Sequence, residues 1–250
     1  MGWYCIKNHL KFCFIFFEII SNSAIKKNTL SFLMKFFIDT ANLSQIREAR
    51  DLGILDGVTT NPSLMARENI RGHDAILAHY RQICEMVDGD VSAEVLATDL
   101  DGMLAQAAEL ALVHKNIVVK IPCTAEGIKA IKALSAKKIA TNCTLVFTAG
   151  QAVLAAKAGA MYVSPFVGRL DDISEDGVAL VAQIVRIFEI YGYKTQVLAA
   201  SIRHTRHIID CMEAGAHVVT CPLKPILGLL DHPLTEKGLA KFVEDAKKMI

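Results

Sequence analysis

The sequence predicts an α/β fold, a single (β/α)8 TIM barrel. From residue 35 onward, short apolar segments alternate with helical patterns, and eight apolar segments can be counted. They are continuous apolar runs rather than alternating ones, which is typical of parallel strands that are buried on both faces. A doubly wound sheet is the alternative, but no G-x-G-x-x-G turn follows the first strand.

The individual elements follow from hydrophobic spacing. Between the strands lie helical patterns such as residues 178–190, where apolar side chains recur at helix spacing. Asn42 and Gln45, three residues apart, predict a capping box at the start of the first helix. The predicted strands span residues 35–39, 56–60, 91–95, 117–121, 139–145, 161–166, 195–200 and 217–221.

Composition bounds the class of protein. The chain has 250 residues, of which 52% are hydrophobic and 21% charged, so it can bury one large core. No linker or shift in composition divides residues 34–250, and we expect one catalytic domain there. The net charge of +1 gives no basic field for nucleic acid.

Residues 1–33 do not resemble the rest of the chain. Their apolar run, residues 13–17, is broken by Glu18 and followed by a polar stretch without a small-residue cleavage pattern. The run is too brief for a signal peptide and far too short to cross a membrane. We expect these residues to form a poorly ordered extension outside the fold, and we expect no membrane partner.

Cysteine and histidine spacing gives no metal site. The seven cysteines include no C-x-x-C pair, so reduced thiols in a cytoplasmic enzyme fit best. Cys123 and Cys143 are candidates for neighbours of the site, although small apolar packing is the commoner role. His204 and His207 lie on one side of a predicted helix, but no third ligand has a fitting spacing, which favours a solvated helix face.

Lys120 is the most informative single residue. It lies within the apolar run from Ile117 to Pro122, where an ammonium loses hydration that the run itself does not replace. Desolvation favours the neutral amine, which attacks carbonyl groups to form a Schiff base. The alternative is a lysine at a strand end that reaches out to solvent.

Polar residues cluster at the predicted carboxyl ends of the strands, which in a barrel of this class meet at one mouth. Glu94, in the strand before Lys120, is its natural partner because an unpaired buried carboxylate is costly. Asp39 and Ser201 are also compatible with helix caps, and Asn61 with a simple turn. The strand-end residues are Asp39, Thr59, Thr60, Asn61, Glu94, Lys120, Asn142, Thr144, Ser164, Ser201 and Arg203.

Five segments carry a resemblance to a known family. They are FIDTAN (37–42), GVTTNPSL (57–64), VVKIPCTAEG (118–127), SPFVGRLDD (164–172) and LAASIR (198–203). Together they resemble the transaldolase family, specifically the small-subunit branch that also includes fructose-6-phosphate aldolase. The resemblance runs from Met34 to the C-terminus. It implies an enzyme that acts on sugar phosphates without metal or organic cofactor and forms homo-oligomers, for which the family suggests decamers.

The resemblance also implies roles for individual residues. It implies a Schiff base on Lys120, an acid/base carboxylate at Asp39, and Glu94 acting through a water that Thr144 positions. Substrate contacts are implied for Thr60, Asn61, Asn142, Ser164, Phe166, Arg169, Ser201 and Arg203. Arginine suits a sugar phosphate because its planar fork donates two parallel hydrogen bonds, whereas a surface salt bridge is the alternative for Arg169, beside Asp171 and Asp172.

Two positions separate the activities within the family. Fructose-6-phosphate aldolases have glutamine in place of Glu94 and tyrosine in place of Phe166, and transaldolases have the residues found here. The expected activity is therefore transfer of a dihydroxyacetone unit from fructose 6-phosphate to erythrose 4-phosphate, in the pentose phosphate pathway. The alternatives are an aldolase that releases free dihydroxyacetone and, more distantly, a non-catalytic barrel that binds sugar phosphates.

Overall fold

The computed structural model describes residues 33–249. Eight parallel strands form a closed barrel in which each strand pairs with the next along the chain and the eighth pairs with the first. This confirms the predicted (β/α)8 TIM barrel. The extension expected at residues 1–33 lies, except for Leu33, outside the described residues and stays a prediction. No helix within residues 33–249 is long and apolar enough to cross a membrane.

The strands and helices alternate along the chain. The strands are β1 Lys35–Asp39, β2 Gly57–Thr59, β3 Asp90–Glu94, β4 Ile117–Pro122, β5 Thr141–Val146, β6 Tyr162–Pro165, β7 Gln196–Ala199 and β8 Val218–Cys221. The helices are α1 Leu43–Asp51, α2 Pro62–Arg67, α3 His73–Met86, α4 Leu100–Val113, α5 Ala125–Ala136, α6 Ala149–Ala158, α7 Val167–Asp171, α8 Gly177–Tyr191, α9 Thr205–Glu213, α10 Leu223–Leu227 and α11 Pro233–Lys247.

Strand β5 differs most from its prediction. It was expected at residues 139–145 but spans Thr141–Val146. Lys138 has a positive φ of 60° just after α5, so the chain turns there before it enters the sheet. The register between β5 and β6 shifts between Cys143 and Val146, and Leu145 in this irregularity has a φ of 59°. Local backbone turns of this kind are not visible in hydrophobic spacing.

Helix caps also differ in detail. The Asn42 side chain accepts hydrogen bonds from the backbone N–H groups of Ser44 and Gln45, as expected of an N-cap. The Gln45 side chain does not complete the predicted capping box, because its Oε1 accepts instead from the Thr40 hydroxyl at 2.7 Å. A complete capping box forms at α6, between Thr148 and Gln151.

The lower half of the barrel is filled by side chains. The Phe37 and Tyr162 rings meet edge to face with centroids 6.0 Å apart, and Tyr162 Oη donates to Asp90 Oδ2 at 2.6 Å. Gly57 admits the Phe37 ring, since a Cβ there would lie 2.5 Å from its Cζ. This packing closes the end of the barrel where the strands begin and leaves the opposite end open.

Candidate active site

A cavity of about 540 Å³ opens at the carboxyl ends of the strands. Asp39, Glu94 and Lys120 extend into it from β1, β3 and β4, and Arg67, Arg169 and Arg203 also line it. Barrels of this class carry their active sites at this end because loops and strand ends from all units converge there. The sequence-predicted residues that line it are Asp39, Thr59, Asn61, Glu94, Lys120, Thr144, Ser164, Phe166, Arg169, Ser201 and Arg203.

Lys120 is buried and paired. Its Nζ lies 3.0 Å from Glu94 Oε2 and donates to the Thr60 carbonyl oxygen at 3.0 Å. With 6% of its surface exposed, Lys120 does not reach out to solvent, which removes the alternative of a solvated lysine at a strand end. The predicted partnership with Glu94 is confirmed. The apolar run of β4 does not replace the hydration of the ammonium group. Glu94 on β3 and the Thr60 carbonyl oxygen just after β2 do so instead.

Asp39 is half-buried at the cavity wall and lies close enough to Lys120 to be affected by its charge. Burial raises the pKa of its carboxyl group above the ordinary value, while the charge of Lys120, a hydrogen bond from Thr59 and the charge of Arg67 oppose that rise. Thr59 Oγ1 donates to Asp39 Oδ1 at 2.7 Å and lies 2.6 Å from Thr220 Oγ1. A carboxyl group with a raised pKa is suited to take and return a proton near neutral pH.

Two predicted residues do not bring their side chains to the cavity. The Thr60 hydroxyl lies 3.1 Å from Tyr80 Oη and 3.1 Å from the Ser92 carbonyl oxygen, so only its backbone carbonyl meets Lys120. Asn142 is buried beneath the cavity floor, where it accepts from the Ser164 hydroxyl at 2.7 Å and donates to Ser92 Oγ at 3.2 Å. Asn142 therefore supports Ser164, which does line the cavity.

Thr144 presents an unsatisfied hydroxyl to the cavity. Its Oγ1 is buried and has no hydrogen-bond partner among residues 33–249. A buried hydroxyl without a partner costs free energy, so such a group at a cavity wall is suited to bind a water or a substrate hydroxyl. Thr144 lies on β5 opposite Pro122 of β4, two residues beyond Lys120, and it lines the same cavity as Lys120.

The apolar wall is formed by Phe166. Its ring meets Phe147 edge to face with centroids 5.7 Å apart and is only partly buried. Phe166 also bridges β6 to Ala200 and precedes helix α7, so its backbone is held from both sides. The ring is thus a fixed apolar surface of the cavity.

Arg203 and Arg169 lie at the exposed rim. Arg203 Nη2 lies 2.5 Å from Asp172 Oδ2 and donates to the Gly168 carbonyl oxygen at 3.2 Å. The salt bridge considered for Arg169 is therefore made by Arg203, and Arg169 forms none within the described residues. Gly168 is required here, because a Cβ would lie 2.4 Å from the backbone carbonyl oxygen of Ser201.

The loop residues have distinct backbone roles. Asn61 is the N-cap of α2 and its Oδ1 accepts from the Leu64 N–H at 2.9 Å, so a cap replaces the simple turn that was the alternative. Ser201 is not a helix cap, since His204 caps α9. It has a φ of 59°, a strained conformation for serine, and residues held this way often lie at binding sites.

Some residues of the site were missed by sequence analysis. Thr220 is a polar residue near the end of the apolar strand β8, and it lines the cavity. The same pattern, a polar residue at the end of an apolar run, could have identified it. Arg67, on α2, lines the cavity, and Tyr80, on α3, contacts the residues around Lys120, but neither carries a sequence signal of this kind.

The histidine pair on α9 is not a solvated face. His207 is buried, and its Nε2 lies 2.9 Å from Asp171 Oδ2. The expectation of a solvated face is therefore wrong for His207, because its ring is buried against Asp171 at the end of α7. Within residues 33–249, no cluster of three or more histidine, cysteine or acidic side chains is arranged to hold a metal ion.

Cys123 and Cys143 contact each other rather than the cavity. A hydrogen bond with Cys143 lowers the pKa of the Cys123 thiol, and it raises the pKa of the Cys143 thiol. Neither side chain lines the cavity.

Comparison with known proteins gives consistent matches. Residues 36–250 match the family model "Transaldolase/Fructose-6-phosphate aldolase". A protein of Porphyromonas gingivalis named "Probable transaldolase" is 68% identical over 216 residues, covering 86% of this chain and 98% of the relative. Proteins of the same name from Bacteroides fragilis and Cytophaga hutchinsonii are 68% and 66% identical, each covering 86% of this chain and 99% of the relative.

Proposed function

Since the chain belongs to the transaldolase/fructose-6-phosphate aldolase family, we propose that it transfers a dihydroxyacetone unit from fructose 6-phosphate, or sedoheptulose 7-phosphate, to an aldose phosphate. The chain is an enzyme of the transaldolase type. The observation that carries the finer proposal is the buried Lys120, held by Glu94 at 3.0 Å beside Asp39 in one cavity.

The proposed reaction begins at Lys120. Transfer of its proton to Glu94 leaves a neutral amine, which adds to the ketone of the donor sugar and loses water to give an iminium ion. Glu94 lies 3.0 Å from the amine and so is in reach of the proton that the amine loses. The free hydroxyl of Thr144 at the adjacent strand supports a bound water for that proton transfer.

Asp39 acts in the cleavage of the carbon–carbon bond. The bond between C3 and C4 breaks: its electrons form the enamine of C1–C3 on Lys120, the C4 hydroxyl loses its proton, and C4–C6 of fructose 6-phosphate leave as glyceraldehyde 3-phosphate. Asp39 takes that proton, and its raised pKa makes a proton gained there easier to hold until the acceptor aldehyde needs it. The enamine then attacks the acceptor, and the same steps run in reverse.

The rim supplies the phosphate contacts of the proposal. Arg169 and Arg203 are exposed at the mouth, and Ser201 lies between strand β7 and helix α9 at the same place. The hydrogen bonds of Arg203 to Gly168 and Asp172 both use Nη2, which leaves Nε and Nη1 for a phosphate. Because Asp172 already holds the guanidinium group in place, Arg203 loses less side-chain entropy when it binds a phosphate.

Transfer rather than release is supported by Glu94 and Phe166. The phenyl ring of Phe166 supplies no proton to the enamine, and an apolar wall excludes water from it. The enamine is then preserved until an acceptor aldose arrives. We therefore favour transaldolase activity over release of free dihydroxyacetone.

Reductive trapping tests the proposal. Borohydride added with fructose 6-phosphate should reduce the iminium ion and attach a dihydroxyacetone-derived mass to Lys120, located by peptide mass spectrometry. With erythrose 4-phosphate present, sedoheptulose 7-phosphate should accumulate. Free dihydroxyacetone without an acceptor would favour the aldolase alternative, and binding without any trapped adduct would favour a non-catalytic sugar-phosphate-binding barrel.

We also propose that the protein forms a homo-oligomer in the cytoplasm. Helix α11 has no buried residue, and its exposed apolar side chains include Leu234, Leu239 and Phe242. An exposed apolar stripe of this kind supports contact with a second copy of the chain. Light scattering of the purified protein, compared with a Phe242→Glu variant, measures the assembly, which the family resemblance suggests is as large as a decamer.

A further inference from the structure

Tyr80 contacts the ends of strands β2 and β3, where the two hydrogen-bonding partners of Lys120 lie. It belongs to helix α3, outside the barrel, and only 3% of its surface is exposed. Its hydroxyl reaches the backbone of the sheet between the ends of β2 and β3, where it meets Glu94 and Thr60. Tyr80 does not line the cavity, so any effect on chemistry is exerted through these two residues.

The hydrogen bonds between β2 and β3 change at Thr60. The Thr60 N–H donates to the Ser92 carbonyl oxygen at 3.3 Å, as a parallel ladder requires. In such a ladder the next bond would run from the Glu94 N–H to the Thr60 carbonyl oxygen. That bond is not formed among the described residues, and the Glu94 N–H donates to Tyr80 Oη at 3.3 Å instead.

Because the Glu94 N–H donates to Tyr80, the Thr60 carbonyl oxygen is available to Lys120. The Thr60 carbonyl oxygen accepts from Lys120 Nζ at 3.0 Å. Tyr80 Oη also lies 3.1 Å from Thr60 Oγ1, which anchors the same residue. The tyrosine therefore satisfies the Glu94 N–H, which would otherwise compete with Lys120 for this carbonyl.

We propose that Tyr80 is a positioning residue for the Schiff-base lysine. By taking the hydrogen bond of the Glu94 N–H, it directs the Thr60 carbonyl toward Lys120 and holds the backbone of Glu94, so both partners of Lys120 depend on one buried hydroxyl. This role in catalysis rests on the proposed function, whereas the role in positioning concerns the geometry alone.

The test compares two tyrosine-to-phenylalanine variants. Tyr80→Phe removes the hydroxyl and keeps the ring. Tyr162→Phe is the matched control, since it removes a buried hydroxyl that donates to Asp90 at the closed end of the barrel. Crystal structures of both variants give the distance from Lys120 Nζ to the Thr60 carbonyl oxygen. Borohydride trapping with fructose 6-phosphate gives the rate of imine formation, and thermal unfolding gives the stability of each variant.

In Tyr80→Phe we expect the Glu94 N–H to bond to the Thr60 carbonyl and Lys120 Nζ to move away from it. Imine formation should slow by about tenfold, as expected from one lost hydrogen bond to a charged group. Tyr162→Phe should form the imine at the wild-type rate even if its stability falls as far.

Two results would overturn the inference: Lys120 Nζ unmoved from the Thr60 carbonyl in Tyr80→Phe, or equal imine rates in the two variants. A wild-type enzyme that traps no sugar would instead refute the proposed function, and the crystal structures would still decide the positioning role.

Discussion

Glu94 and Lys120 face each other across the β3–β4 ladder and are joined by an ion pair of 3.0 Å. Because the two residues are paired in the strand register, backbone hydrogen bonds hold their Cα atoms in place. Burial of both charges is costly, and the pair offsets that cost only while both partners are present. Nearby Asp39 adds a second carboxyl group, so this corner of the barrel holds two acidic groups and one amine.

Lys120→Arg should abolish transfer while the barrel stays folded. Arginine preserves the positive charge beside Glu94, but a guanidinium does not form the imine under these conditions. Transfer activity and borohydride trapping are measured together, with circular dichroism as the check on folding. Lys129→Arg, at an exposed lysine that pairs with Glu126, is the control and should retain both. Trapping at another lysine would remove Lys120 from this role.

Arg203→Ala should weaken the binding of phosphorylated sugars. The loss expected for a charge-assisted hydrogen bond is about 1.5–3 kcal/mol, seen as a higher KM. Binding of free dihydroxyacetone, which has no phosphate, should change little. Arg206→Ala removes a more exposed arginine that pairs with Asp210 and serves as the control. Equal losses for substrates with and without phosphate would indicate a structural role for Arg203.

Asp39→Asn should inactivate the enzyme and stabilise the fold at neutral pH. Burial raises the pKa of Asp39, so the folded protein favours the neutral carboxyl group. Ionisation of Asp39 therefore costs folding free energy as pH rises from the ordinary value of 3.8 through the raised pKa, and the cost stays constant above it. Asparagine avoids this cost, and Lys120 keeps Glu94 as its partner.

The measurement for Asp39→Asn is thermal unfolding at a series of pH values. The gain in melting temperature should be largest at neutral pH and should shrink as pH falls toward 3.8. Asp51→Asn, at an exposed aspartate, should show no such pH-dependent gain. A melting temperature of Asp39→Asn below that of the wild type at neutral pH would contradict the prediction.

Phe166→Tyr should shift the reaction from transfer toward release. The new hydroxyl lies at the cavity wall, where it offers a proton to the enamine or to a bound water. Release of dihydroxyacetone and use of free dihydroxyacetone should rise, and transfer to erythrose 4-phosphate should fall. Both activities are measured on the same preparations. If Phe166 only packs against Phe147, the hydroxyl would lower all activities together and leave their ratio unchanged.

Much of the site was predictable because strand ends carry a readable signal. A polar residue at the end of an apolar run, as at Asp39 or Lys120, is conspicuous in sequence, and the barrel brings all such ends to one mouth. Thr60 and Asn142 show where this reasoning stops. Their side chains point to Tyr80 and Ser92 rather than into the cavity, which depends on the orientation of each residue in its strand.

The sequence by itself determined the barrel, its eight strands and the position of Lys120 in an apolar strand, because hydrophobic period and polar interruptions are local properties of the chain. Only the tertiary structure decided the partners of that lysine. Glu94, the Thr60 carbonyl and Tyr80 come together through strand register and the packing of α3 on the sheet, across 60 residues of chain between Thr60 and Lys120. Side-chain contacts over such separations arise from packing, and no local pattern in the sequence records them.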